Sequence, residues 1–396
     1  MNRTLPTLLK EVFISKMVLL KNISIIGSTG SIGRQTLDII RKDKSINVIG
    51  LSGNSNLELL EHQVLEFKPK YVWSPKITSS RWNNSYVMPQ EAIAALSEND
   101  LVIISTVGSA GLRSTINAIN AKRTTAIANK EVLVMAGSII MEAAKKQGTT
   151  ILPIDSEHNA IWQCLIGDCN MHSGSTYGPL KRIILTASGG AFRDLPIERL
   201  ASVSVEDALA HPTWVMGKKI TIDCATLMNK GFEVIEARWL FGIDFSKISV
   251  LLHRESIVHG MVEFNDGSYK ALLSYPDMHM PIQHVLSYPK RPCSEWRQLD
   301  LVALKTLSFS ELDANRYPCF RLALSAGKID GSMSVALNAS NEAAVGLFLD
   351  KKISFGMIPK IIEKELSNHQ IEYNQNISSI IELDNEIKNR IRMDYA

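Results

Sequence analysis

Short β-branched runs and longer amphipathic runs take turns through residues 21–154. Lys21 to Ile26 reads as a strand, and a helical run continues through Ile40. Asn47 to Ser52 is a second strand and Leu57 to Phe67 an amphipathic helix. Leu101 to Thr106, Thr124 to Ala128 and Thr150 to Ile154 are further strands, with helices at Ala110 to Asn120 and Val132 to Lys146. Strands alternating with helices predict parallel pairing, and so an α/β, doubly wound sheet.

The pattern changes after Asp155. Arg182 to Ala187, Ile220 to Asp223, Val250 to His253, Gly260 to Phe264 and Tyr269 to Ser274 read as strands of a second sheet. Asn265-Asp266-Gly267 supplies a hairpin turn between the last two. Phe232 to Phe241 is a flanking helix, and residues 310–396 are helical by pattern with no clear strand. The expected division is an N-terminal arm (1–20), a nucleotide-binding domain (21–154), a central α+β domain with a lid (155–287), a Pro/Arg-containing linker (288–309) and a C-terminal helical bundle (310–396).

Composition narrows the function classes. A net charge of +3 from 43 basic and 40 acidic side chains, with no basic tract, argues against nucleic acid as a partner. No apolar run reaches bilayer-spanning length, so no membrane association is expected. Residues 1–20 lack the apolar core and cleavage site of a secretory signal. They read equally as a docking helix, a disordered arm or a start upstream of Met17. Cys164, Cys169, Cys224, Cys293 and Cys319 form no Cys-x-x-Cys pair, which fits free thiols in a reducing compartment.

The chemistry-bearing motifs sit at element boundaries. Gly27, Gly30 and Gly33 stand where a strand turns into a helix, the place where backbone N–H groups meet a dinucleotide pyrophosphate. The spacing G-x-x-G-x-x-G is a weak signal alone, and its strand-turn-helix context strengthens it. The second strand runs into Gly53-Asn54-Ser55-Asn56 with no acid to hold a ribose 2′-hydroxyl, which favours NADPH over NADH. Ala128-Asn129-Lys130-Glu131 follows a strand at the carboxyl edge where such sheets bind ligands; the plain alternative is a solvated helix start.

Asp155-Ser156-Glu157 ends an apolar strand with two carboxylates at i and i+2, on one side if the backbone stays extended. Carboxylate oxygens suit Mg²⁺ or Mn²⁺. The competing reading is an Asp helix cap with Glu157 in the first turn. Glu233, beside Asn229 and Lys230, offers a third carboxylate. Ser188 in Thr186-Ala187-Ser188-Gly189-Gly190 and the start of the Asn229-Lys230 helix are candidate phosphate contacts. His211 to Gly217, with Trp214 and Met216, has the composition of a lid; both apolar residues read equally as core. His253 and His259 are, on their own, ordinary core histidines.

Taken together, these stretches resemble the 1-deoxy-D-xylulose 5-phosphate reductoisomerase family, from about residue 20 to the end. The matching blocks are Gly27 to Gly33, Ala128 to Glu131, Pro153 to Ala160, Thr186 to Phe192, His211 to Gly217 and Ala225 to Phe241. Tyr317-Pro318-Cys319 and Ala336 to Glu342 match as well. The resemblance implies a Rossmann-like first domain and a rearrangement of 1-deoxy-D-xylulose 5-phosphate followed by reduction to 2-C-methyl-D-erythritol 4-phosphate. That conversion belongs to the non-mevalonate route to isoprenoid precursors.

The resemblance further implies that Asp155, Glu157 and Glu233 hold a divalent metal (Mg²⁺ or Mn²⁺, with Co²⁺ a third option) and that, with Lys130, they are catalytic. Lys130, Ser156, Glu157, Ser188, His211, Trp214, Cys224, Asn229, Lys230, Glu233 and His259 would contact the small phosphorylated sugar. Thr29, Gly30, Ser31, Ile32, Asn54, Ser55, Asn56, Asn129, Glu131 and Gly217 would line the NADPH site. A homodimer is implied too, cytoplasmic in a bacterium or stromal in a plastid. Cys224 departs from the usual Ser, His253-Arg254-Glu255 from a His-Pro-Gln pattern, and Gly260 from a Ser. Two rivals remain: a plain NADP-dependent dehydrogenase with Cys224 as nucleophile, which leaves the acid trio without purpose, and a nucleotide-sensing protein with a degenerate site.

Overall fold

The computed structural model describes residues 21–167 and 179–395. The arm 1–20, Cys169 and the terminal Ala396 lie outside the described residues. The first domain is an eight-stranded sheet in the order β4-β5-β3-β2-β1-β6-β7-β8. Its strands are β1 (Lys21–Ile26), β2 (Ile46–Ser52), β3 (Tyr71–Trp73), β4 (Arg81–Trp82), β5 (Ser85–Val87), β6 (Leu101–Ile104), β7 (Thr124–Ile127) and β8 (Ile151–Pro153). All pair parallel except β4 with β5. The β-branched runs of the sequence form its central strands, and Ile23, Ile25, Leu101 and Ile103 are fully buried. Strands β3, β4 and β5 at one end are too short to show a period in the sequence.

The second sheet has the order β12-β11-β9-β10-β13. It consists of β9 (Leu180–Ala187), β10 (Ile248–Leu252), β11 (Val258–Phe264), β12 (Tyr269–Leu273) and β13 (Ser310–Glu311). Two expectations are corrected here. Ser310–Glu311, placed at the start of the helical domain, pairs antiparallel with β10 and so belongs to this sheet. The expected strand Ile220 to Asp223 is helical, within Lys218–Ala225. Its alternating Ile-Thr-Ile-Asp imitates a strand, but Thr221 N donates to Gly217 O at 3.1 Å and Lys219 pairs with Asp223 one helical turn on.

Ten helices position the site or build the bundle. They are α1 (Ser31–Lys42), α2 (Leu57–Phe67), α3 (Lys130–Gln147), α4 (Ser156–Leu165), α5 (Lys218–Ala225), α6 (Met228–Phe241), α7 (Pro318–Ile329), α8 (Ser332–Leu349), α9 (Met357–Asn368) and α10 (Ile377–Asp394). Helix α6 is buried along most of its length because it packs against both α3 and α7. Gly231 permits that approach: a Cβ there would stand 2.3 Å from the Cβ of Ala323. Helix α8 is buried nearly all round, its polar Asn338 and Asn341 included, and runs through the bundle core, against α9 and α10.

Candidate active site

The site forms where three helix starts meet. Strand β7 delivers Lys130 at the head of α3, strand β8 delivers Asp155 and the first turn of α4, and α6 brings Asn229, Lys230 and Glu233. Asp155 does occupy the N-cap position of α4, yet its side chain makes no cap bond. It turns instead to Lys130, whose Nζ lies 2.5 Å from Asp155 Oδ2. The acids at 155 and 157 converge through the helical turn after Asp155, not through an extended backbone as their spacing suggested.

Beside that ion pair, Lys130 Nζ donates to Asn229 Oδ1 at 2.7 Å and to Glu233 Oε1 at 3.1 Å. Lys230 Nζ donates to Glu157 Oε1 at 2.8 Å and pairs with Glu233 Oε2. Ser156 Oγ donates to Glu157 Oε2 and Asn229 Nδ2 to Glu233 Oε1, both at 2.5 Å. Burial would raise the Glu157 carboxyl, but the Lys230 and Lys130 charges outweigh it and hold it well below the usual carboxylate range. Burial, followed by the Glu157 charge, pushes Glu233 up to about 7. Both lysines stay protonated, because the acids outweigh their desolvation.

Asp155, Glu157 and Glu233 each present a carboxylate oxygen, and these atoms lie within 4.8 Å of one another. An all-oxygen, mutually repelling trio fits a hard divalent cation, which relieves the repulsion. His158 and Glu236 lie behind Asp155. His158 Nε2 bonds to Glu233 O at 2.8 Å, and its Nδ1 stands 3.5 Å from Glu236 Oε2. Among the described residues neither Glu236 oxygen finds a hydrogen-bond donor, and burial raises that carboxyl well above its ordinary value. The spacing of Asp155 to His158 and of Glu233 to Glu236, one helical turn each, was the available signal.

The expected phosphate contacts gather next to this cluster. Ser188 Oγ and His211 Nε2 are 3.0 Å apart, and Trp214 N donates to His211 Nδ1 at 3.0 Å. Burial, with Arg193 nearby, pushes His211 down to about 4. Cys224 touches this turn through its backbone: a Cβ on Gly190 would lie 2.3 Å from Cys224 O. Burial pushes the Cys224 thiol well up, so it stays protonated and poorly nucleophilic, against the dehydrogenase rival. Trp214 packs edge-on to His259 at 5.9 Å, and His259 Nε2 meets Ser274 Oγ at 2.9 Å. Val215 in the lid is 99% exposed, whereas Trp214 and Met216 are half-buried. His253 is a core histidine: its Nε2 accepts from Ile257 N and Val258 N, and its Nδ1 meets Ser308 O.

On the nucleotide side, Gly27 has φ +95°, and a Cβ there would meet Ser105 and Thr106 backbone at 2.8 Å. Gly30 caps α1 without a side-chain bond, so the first amides of α1, at Ser31 and Ile32, have no side-chain acceptor. Those free amides fit a pyrophosphate. Asn129 and Asn56 are engaged locally. Asn129 caps α3 and donates to Thr106 and Gly108; Asn56 caps α2. Glu131 is held by Lys219 at 2.6 Å, which also reaches Asp223 at 2.8 Å. Asp223 in turn accepts from Asn341 of α8 at 2.9 Å. This chain joins the nucleotide domain, the helix behind Gly217 and the C-terminal bundle; only its Lys219–Asp223 link, one helical turn apart, has a local pattern in the sequence.

Comparison with known proteins finds matches over most of the chain. Family models of 1-deoxy-D-xylulose 5-phosphate reductoisomerase match residues 23–137 and, as its C-terminal domains, 151–241 and 273–390. The protein so named in Crocosphaera subtropica is 44% identical over 94% of this chain and 96% of its own length. The Synechocystis one is 47% identical over 87% and 90%. A crystal structure of DOX-P reductoisomerase with NADPH, fosmidomycin and magnesium superposes with a TM-score of 0.88 at 38% identity, covering 95% of this chain and 97% of that one. The Zymomonas mobilis reductoisomerase with NADPH gives 0.85 at 36% identity, covering 95% and 99%.

Proposed function

Because the chain belongs to the 1-deoxy-D-xylulose 5-phosphate reductoisomerase family, we propose the following division of work among its residues. The protein is an NADPH- and divalent-metal-dependent enzyme that converts 1-deoxy-D-xylulose 5-phosphate to 2-C-methyl-D-erythritol 4-phosphate. The observation that carries the residue assignment is the convergence of Asp155, Glu157 and Glu233 within 4.8 Å. These three hold the metal. When bound, the metal supplies Lewis-acid polarisation of the substrate's adjacent oxygens, and NADPH supplies the hydride.

The chain's own residues do the rest. Lys130 and Lys230 hold Glu157 ionised, offset part of the burial that raises Glu233, and offer N–H donors to the substrate's oxygens as negative charge develops on them. Asn229 ties Lys130 to Glu233 and holds both in place. Ser188, His211, Cys224, Asn229 and Lys230 grip the phosphate, fixing the reacting carbons against the metal site. The neutral His211 orders the lid backbone at Trp214, and Trp214 and Met216 cover the ligand and exclude water. Thr29 to Ile32, the turn 54–56 and the start of α3 seat NADPH, and Gly217 faces its nicotinamide.

Mn²⁺ serves as well as Mg²⁺, since both take oxygen ligands. The chain works as a cytoplasmic homodimer, as the resemblance to its family implies. Among the described residues no helix is long and apolar enough to cross a membrane. The test follows NADPH absorbance with 1-deoxy-D-xylulose 5-phosphate, with and without Mg²⁺ or Mn²⁺. Turnover only with the metal supports the proposal; turnover without it, or none at all, refutes it.

A further inference from the structure

Strand β2 ends at Ser52, and the turn Gly53-Asn54-Ser55-Asn56 that follows holds no acid. In NAD-type sites an Asp or Glu near this point binds the ribose hydroxyls, whereas a nearby cation accommodates the 2′-phosphate of NADP. The turn lies against the glycine loop, since a Cβ on Gly53 would stand 3.0 Å from Thr29 Cγ2. A ribose one step from the pyrophosphate therefore falls at this turn.

The segment after β3 is stitched along the turn. Gly53 N donates to Trp73 O at 3.0 Å, Ser74 Oγ to Asn54 O at 3.4 Å, and Lys76 Nζ to Ser55 O at 2.7 Å. Asn56 is committed elsewhere, because its Oδ1 accepts from Leu59 N. Lys76 is exposed, and its bond to Ser55 uses one of three ammonium donors.

Resting on the NADPH reading above, we infer that Lys76 is a cofactor-specificity residue whose ammonium, pinned beside Ser55, binds the 2′-phosphate of NADPH. A phosphate monoester carries roughly −1.5 to −2 charges at neutral pH, so the bond is charge-assisted. A 2′-hydroxyl offers no such charge, so Lys76 adds affinity for NADPH and none for NADH. The glycine loop reads the shared pyrophosphate, and Lys76 reads the difference between the two cofactors.

Binding measured without turnover tests this. Wild type, Lys76→Met, Lys76→Glu and Lys76→Arg are titrated calorimetrically with 2′,5′-ADP and 5′-AMP, and by dihydronicotinamide fluorescence with NADPH and NADH. Lys76→Met raises the Kd for 2′,5′-ADP and NADPH about tenfold, the size of a charged hydrogen bond. It leaves 5′-AMP and NADH unchanged; Lys76→Glu loses more and Lys76→Arg retains most. The loss shrinks at high ionic strength, as for any exposed charge pair. Equal weakening of both nucleotides, or no change in either, overturns the inference. Wild-type protein that binds neither NADPH nor NADH overturns the cofactor reading, and this inference with it.

Discussion

Lys130 Nζ stands 2.5 Å from Asp155 Oδ2, so an ammonium neutralises the carboxylates that a divalent cation would use. Lys130 and the cation therefore compete for the same negative charge. Replacing Lys130 with Met removes the competitor and leaves buried acids uncompensated, which destabilises the metal-free protein. Added Mg²⁺ should then raise the melting temperature of Lys130→Met by more than it raises that of wild type. Thermal melts with and without Mg²⁺ check this; an equal or smaller gain contradicts it.

Lys219 pairs with Glu131 and Asp223 and joins three parts of the molecule. Removing its charge leaves two buried acids without their countercharge, at a cost of about 3–5 kcal/mol. Denaturant unfolding of Lys219→Met should show a loss of that order, and Lys219→Met combined with Glu131→Gln should recover part of it. A double variant less stable than the single one would count against the network.

Cys224 takes the place where the resemblance expects Ser, beside the Ser188–Gly190 turn. Burial keeps its thiol protonated, and a thiol is a weaker donor than a hydroxyl. Cys224→Ser should lower the KM for the phosphorylated substrate about threefold to tenfold, with little change in kcat. Steady-state kinetics at saturating NADPH decide it, and an unchanged KM would mean that the side chain does not reach the phosphate.

Much of this arrangement was legible in the sequence, and the rest was hidden for physical reasons. The glycine loop, the central parallel strands and the acids at 155, 157 and 233 carry local signals: small residues at a turn, β-branched runs, carboxylates at element ends. The pairing of Ser310–Glu311 and the reach of Lys219 to Glu131 depend on partners far along the chain, whereas the helix over Ile220 to Asp223 is hidden by an Ile-Thr-Ile-Asp alternation that imitates a strand. Lys219 and Glu131 are 88 residues apart, and Asn341 and Asp223 are 118 apart. His158 and Glu236 carry a weaker signal because each sits one turn behind a more conspicuous acid.

Acid should weaken the fold over a defined window. Burial pushes His211 and His284 down to about 4, with Arg193 and Arg291 adding to the effect. The unfolded chain binds these protons near pH 6.5 and the folded one does not, so stability is full above that value and falls as pH drops towards 4. His284 packs on Trp162 with ring centroids 4.7 Å apart, and Phe preserves that contact. Denaturant midpoints of His284→Phe should fall less steeply between pH 6.5 and 4 than those of wild type; parallel curves would contradict this.

The central claim is that Asp155 serves the metal half of the site while the glycine loop independently serves the hydride half. Asp155→Asn keeps the shape and removes the charge. Its turnover of 1-deoxy-D-xylulose 5-phosphate with Mg²⁺ and its Kd for NADPH, measured on the same preparation, separate the two halves. Turnover should vanish while NADPH binds as it does to wild type. Loss of both together would make Asp155 a structural residue and contradict the account.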